Sequence, residues 1–324
     1  MIEPQTNPRT ASTLPLPLPI DAPAGADPEA LINAATHCRA AWSAKLLNHG
    51  ALLLRGWGVA GVDQFRAFVS AFAGSADAFG YAGGASPRRA IDGESGVYSS
   101  TEYPAEMTLS LHNELSYADR YPSRLYFLCL TAPRSGGETT LGDSRRILAG
   151  IDRQVLEEFR TRQIRYVRNL SPHVGSGYSW QEAFETGDPR TAEVRCAEIG
   201  AAFEWDDGFL RISQVRPATV HHPKTAEEVW FNQADGFHPS ALDPDTYGAM
   251  MAFAGSEDRF RLNVFYGDGS TIDRGALEHI RAVIAKETLL HRWRVGDILV
   301  LDNCLAAHGR MPFSGPRNIV LAMT

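Results

Sequence analysis

Six short runs of strand-forming residues constrain the fold of this chain most: SRLYFLCLTA, IRYVRNL, LRISQVRPATVHH, EVWFNQ, DILVLDNC and RNIVLAMT. They are rich in aliphatic and aromatic residues, and turn formers separate them. Many short strands divided by turns close into a sandwich or a barrel. Helical stretches lie between them, among them DSRRILAGIDRQVLEEFRTR, SWQEAFET, TAEVRCAEIG, SALDPDTYGAMMAFAG and DRGALEHIRAVIAKETLLHRW. These fit as insertions that buttress a β core, so the expected class is mixed α+β. No period of about 20–50 residues repeats, which sets aside solenoids and propellers.

Residues 1–28 are proline-rich and poor in bulky apolar side chains, which predicts an extended N-terminal arm ahead of a single domain over 29–324. DPEALINAATHCRAAWSAKLLNHG reads as a helix. Asp27 caps it, Pro28 takes its first position, Leu31, Ala35, Cys38 and Trp42 share a face, and Gly50 ends it. GALLLRGWG reads as a short buried strand, and VDQFRAFVSAFAG as a helix with Phe65, Phe68 and Phe72 inward. After Gly80 the Gly/Ser-rich stretch YAGGASPRRAIDGESGVYSST predicts loops laid over something.

The formal net charge of -7 argues against nucleic acid or an anionic membrane as the main partner. Cys38, Cys129, Cys196 and Cys304 form no CxxC pair, so reduced thiols and a cytoplasmic setting are expected. The N-terminus lacks the basic and unbroken apolar regions of a signal peptide. No stretch approaches the roughly 18 continuous apolar residues of a membrane span.

Chemistry concentrates in two places. LSLHNELSYADRYPSRLYFLCL carries His112 and Glu114 at i and i+2, which on an extended segment share one face. Alone, that pair fits a metal pair, an acid–base pair or a solvated strand edge. GDILVLDNCLAAHGRMPFSGPRNIVLAM carries His308 after a strand and a turn, with Arg310 and Arg317 beyond it. Two histidines and one carboxylate on one side of an ion leave positions open on the other, which suits non-haem Fe(II) oxygenases. An arginine on a neighbouring strand can fork onto the far carboxylate of a 2-oxo acid.

Five segments in order resemble the taurine dioxygenase / clavaminate synthase superfamily of Fe(II)- and 2-oxoglutarate-dependent oxygenases, from about Gly50 to the C-terminus. They are HGALLLRGW, LHNELSY, PRSGGETTLGDSRRIL, VRPATVHHPKTAEEVWFNQ and WRVGDILVLDNCLAAHGRMPFSGPRNIVLAM. One departure stands out: Ala226 occupies a position where glycine is usual.

The resemblance implies a double-stranded β-helix, or jelly-roll, core with flanking helices and inserted loops. It implies Fe(II) held by His112, Glu114 and His308, with 2-oxoglutarate and O2 as co-substrates. Thr139 of GGET would help hold 2-oxoglutarate, and Arg317 would pair with its distal carboxylate, with Arg310 as competitor. Asn232 and Gln233 of WFNQ are candidates for substrate contact. His221, His222, Asp302 and Asn303 are read as structural, the last two building the turn that presents His308. Related halogenases lack the carboxylate ligand, so Glu114 implies hydroxylation, or a related desaturation or cyclisation. The wording of LHNELSY and HGRMPFSGPRNIVLAM is similar to amino-acid hydroxylases of peptide natural-product pathways. The implied substrate is therefore a small amino-acid-like molecule, free or tethered to a carrier protein. A non-catalytic ligand-binding jelly roll and a zinc hydrolase are the alternatives from other classes.

Overall fold

The computed structural model describes residues 14–74, 78–79, 91, 96–100, 103–174 and 179–324. A six-stranded main sheet runs in the order Leu18–Asp21, Ala51–Arg55, Ile298–Asp302, Arg124–Thr131, Asn318–Met323 and Val97–Ser99. Its first pair is parallel and the others are antiparallel. A second, antiparallel sheet runs Leu289–His291, Thr139–Asp143, Ala306–Arg310, Leu109–His112. A third, four-stranded sheet contains Ile164–Leu170 and Phe209–Arg216. The class is mixed α and β, with most strand pairs antiparallel.

Side-chain alternation explains why the main sheet reads as continuous apolar runs. Leu125, Phe127, Cys129, Leu299, Leu301, Ile319 and Leu321 face one way and pack with Leu141 and Ala306 of the second sheet. Tyr126, Leu128, Ile298, Val300, Val320 and Ala322 face the other way, onto Leu31, Trp42, Leu46, Phe65, Phe68 and Phe72 of the N-terminal helices. Strands with both faces buried have no polar side to show.

The expected N-terminal helix is two helices, Pro28–His37 and Arg39–His49, which meet at Cys38. Asp27 accepts from the Ala30 N–H at 2.8 Å, as a cap should, and Gly50 ends the second helix at φ 76°. The break exposes Cys38 and leaves Leu31, Ala35, Trp42 and Leu46 as the buried set. Part of the proline-rich stretch belongs to the sheet, since Leu18–Asp21 is its edge strand. Residues 1–13, and residues 81–90, 92–95 and 101 of the expected covering loop, lie outside the described residues, while Val97–Ser99 of that stretch is a strand and not a loop. The end of the last helical run turns out to be a strand: the helix stops at Glu287, and Leu289–His291 pairs with Thr139–Leu141. No helix among the described residues is long and apolar enough to cross a membrane.

Ala226 has φ 59°, the left-handed region that disfavours any residue with a Cβ. It closes a turn in which its N–H donates to the His222 carbonyl at 2.9 Å. Ala226→Gly relieves that strain and loses part of the gain to the freer unfolded chain. The expected net stabilisation is about 0.5–1 kcal/mol, a rise of roughly 1–3 °C in melting temperature. A lower melting temperature would refute it.

Candidate active site

The second sheet brings the two histidines together. His308 and His112 are direct cross-strand partners, a geometry that holds Cβ atoms about 4.5–5.5 Å apart. Their ring centroids lie 4.4 Å apart. His112 Nδ1 sits 2.8 Å from the Ser110 carbonyl oxygen, and the His308 ring packs on Phe127 at 5.3 Å between centroids.

Glu114 arrives differently from the sequence expectation. The strand ends at His112, so the pair does not share a strand face. Glu114 sits in the following turn, where Leu115 takes φ 55° and buries its side chain in the core. Asn303 makes that turn hold. Its side chain accepts from the Glu114 N–H at 2.7 Å and donates to the Glu114 carbonyl at 3.0 Å and the Pro122 carbonyl at 2.9 Å. Asn113 Nδ2 donates back to the Asn303 carbonyl at 2.6 Å. The turn before His308 and the turn after His112 are thereby clamped together. Asn303 was legible only as a turn former, because its partners lie far away in the chain.

With the backbone so fixed, Glu114 Oε2 lies 3.8 Å from His308 Nε2. One ligand atom from each of His112, Glu114 and His308 lies within 4.8 Å of the others. Bonds of about 2.0–2.2 Å to a single ion set adjacent donors ~3 Å apart. A small inward movement therefore fits this set to one divalent ion, and two imidazoles with a carboxylate suit Fe(II).

The surroundings continue the pattern. Thr139 is buried, and its Oγ1 accepts from Trp293 Nε1 at 3.0 Å, which leaves the hydroxyl proton to donate elsewhere. Trp293 carried no signal in the sequence. A small cavity lies between Phe127, Thr139, His308, Arg310 and Arg317. Arg310 and Arg317 flank the Phe313 ring at 5.0 and 5.5 Å. Their hydrogen bonds separate their roles. Arg310 ends the Ala306–Arg310 strand and donates to the carbonyls of Tyr103, Pro104 and Met107. Among the described residues Arg317 makes two hydrogen bonds, both long, to the Gly137 carbonyl and Ser100 Oγ at 3.4 Å. Burial, and then the charge of Arg310, push its guanidinium down to about 10, the condition of a cation that lacks an anion.

Asn232 and Gln233 have their amides committed to the protein. Asn232 Nδ2 donates to the Ala218 carbonyl at 2.8 Å, and its Oδ1 accepts from the Ala234 N–H at 3.1 Å. Gln233 Nε2 donates to the Asn113 carbonyl and Ser116 Oγ, both at 3.2 Å, supporting the Glu114 turn. These bonds make both residues braces of the site. His222 joins strand to turn, its Nε2 3.1 Å from Asp302 Oδ2, while Asp302 Oδ1 accepts from the Cys304 and Leu305 N–H groups. His221 is exposed at the end of its strand.

The sheets and the His112, Glu114 and His308 cluster suit an iron-dependent oxygenase. Residues 12–324 match the family described as taurine catabolism dioxygenase TauD, TfdA, and the chain belongs to that family. The dapdiamide synthesis protein DdaC of Enterobacter agglomerans is 38% identical over 279 residues, which cover 86% of this chain and 83% of that protein. A clavaminate synthase-like protein of Arabidopsis thaliana is 29% identical over 286 residues, covering 85% and 81%. Among solved structures, PvcB of Pseudomonas aeruginosa superposes with a TM-score of 0.53 at 16% identity, covering 94% of this chain and 84% of that one. PvcB is described as an Fe, α-ketoglutarate-dependent oxygenase from an isonitrile synthetic pathway.

Proposed function

We propose that this enzyme hydroxylates an unactivated C–H bond of a small amino-acid-like substrate, using Fe(II), 2-oxoglutarate and O2. The observation that carries the reading is the cavity joining His308 to Arg317, an arginine with no acidic partner among the described residues. His112, Glu114 and His308 would hold the iron on one side, leaving its other side open. Arg317 and the Thr139 hydroxyl would take the distal carboxylate of 2-oxoglutarate. Asn303 keeps Glu114 in place, and the apolar contact between the two sheets excludes water behind His308. Bound there, iron would activate O2, the oxidant: one oxygen atom ends in succinate as 2-oxoglutarate loses CO2, and the other in the new hydroxyl group.

On this reading the two sheets are the walls of a double-stranded β-helix, and residues 29–324 form one domain together with the edge strand Leu18–Asp21. The name of the DdaC relative, a dapdiamide synthesis protein, supports a natural-product role; a substrate free or tethered to a carrier protein, acted on in the cytoplasm, is part of the same proposal.

Anaerobic addition of Fe(II) and then 2-oxoglutarate should produce the weak visible charge-transfer band of the chelate. Succinate release should then follow across a panel of free and carrier-bound amino acids. Arg317→Ala should raise the 2-oxoglutarate concentration needed for half of the band by about 100-fold or more, because a charge-assisted forked contact is lost. Arg310→Ala should chiefly lower the melting temperature, since it unties three carbonyls. An unchanged 2-oxoglutarate requirement in Arg317→Ala would overturn the assignment.

A further inference from the structure

One buried acid on the helix beside the His112 strand, Asp235, is met by the main-chain N–H groups of Asp235 and Gly236 and by no paired cation among the described residues. Asp235 is 5% exposed and lies in the short helix Ala234–Phe237. Among the described residues no side chain makes a hydrogen bond or ion pair with its carboxylate. Arg281, the nearest cation, donates instead to the Asp235 backbone carbonyl at 3.1 and 2.9 Å and to Ser240 Oγ at 2.8 Å. Burial accordingly wins at both groups: the Asp235 carboxyl is pushed up to about 6 and the Arg281 guanidinium is pushed down. A formed ion pair would move each the other way.

The position points to a ligand. A Cβ built on Gly236 would lie 3.9 Å from the Ser110 Cβ, and Ser110 shares a strand face with His112. One turn earlier, Gln233 braces the Asn113 carbonyl between the two metal-facing residues. Phe237, Tyr117 and Tyr166 form an aromatic cluster with centroids 5.4–6.1 Å apart. A carboxylate left in such surroundings is costly unless a cation arrives.

We propose that Asp235 is the specificity residue of the site, its carboxylate taking an ammonium group of the substrate. This rests on the oxygenase reading above and narrows its substrate class to molecules with a free amine next to the oxidised carbon chain.

The test uses the full chain and a fixed probe set, the L-amino acids and their N-acetyl derivatives. Calorimetric titration reads binding whether or not iron is loaded, and the Fe(II)–2-oxoglutarate band separately tests the underlying reading. The wild type should bind free-amine members at least about 10-fold more tightly than the matching N-acetyl forms, the range of one charge-assisted hydrogen bond. Asp235→Asn, which keeps the shape, should abolish that preference, and Asp235→Glu should restore part of it. Equal affinity for free and acetylated probes in the wild type, no binding of any ammonium-bearing probe, or an unchanged preference in Asp235→Asn overturns the proposal.

Discussion

Glu114→Ala is expected to weaken iron binding by more than about 100-fold and to remove substrate oxidation. Loss of a mere supporting partner of a metal ligand typically costs 10–100-fold, and a ligand must cost more. Glu114 is 3% exposed and faces His308 Nε2 at 3.8 Å, so no other carboxylate can swing in without opening the core. The metal-free variant should melt no lower than the wild type. What it loses is a buried charge, while the Asn303 bonds run to the Glu114 main chain and survive the substitution. Glu114→Asp separates charge from reach. Because the main chain is held at both its N–H and its carbonyl, the shorter side chain cannot follow the metal, and the carboxylate withdraws by one bond, ~1.5 Å. Its iron affinity should fall between those of the wild type and the alanine variant. Metal titration followed by succinate assay checks the series, and wild-type turnover in Glu114→Ala would remove this residue from the site.

How much of this site could be read from residues alone depended on how local each cause was. The strands of the main sheet were legible because Leu125–Cys129, Ile298–Leu301 and Ile319–Met323 bury both faces. Asp27 and Gly50 marked helix ends by chemistry confined to one turn. The single helix expected between them failed because its break at Cys38 lets Trp42 and Leu46 meet the sheet, a tertiary demand. His112 and Glu114 were found by spacing, although the reason was only half right: the second ligand is aimed by the Asn303 clamp and not by strand alternation. Arg317 was preferred over Arg310 as the residue that starts the last strand while Arg310 sits in a turn; Arg310 instead ends the Ala306–Arg310 strand and Arg317 lies one residue ahead of Asn318–Met323, and it is their hydrogen bonds that differ. The bracing bonds of Asn232 and Gln233 were not legible, because their partners Ala218, Asn113 and Ser116 are remote in the chain. Asp235 stood beside Asn232 and Gln233, an acid among apolar and amide residues, and its want of a paired cation became visible only once Arg281 was seen to bond elsewhere.

Gly309→Ala should damage both stability and the site, although it adds only one methyl group next to a metal-facing residue. A Cβ at position 309 would lie 2.4 Å from the Leu109 carbonyl oxygen and 2.6 Å from Thr140 Oγ1. The first of these is backbone, so it cannot rotate away, and the Ala306–Arg310 strand must move off the Leu109–His112 strand instead. That is the one pairing that sets His308 opposite His112, and the register already shifts between His308 and Arg310. Glycine within a strand commonly marks such a close backbone approach. Overpacking of this kind costs about 1–3 kcal/mol, which should appear as a lower melting temperature. The larger effect falls on the site: prising the strands apart separates the two imidazoles, and iron binding should drop together with stability. Raising the melting temperature part of the way back with a distant stabilising change such as Ala226→Gly should leave iron affinity low, because distant effects on stability add without repairing local geometry. Recovery of iron binding in that double variant would show that the loss came from global unfolding and not from the spacing of His112 and His308.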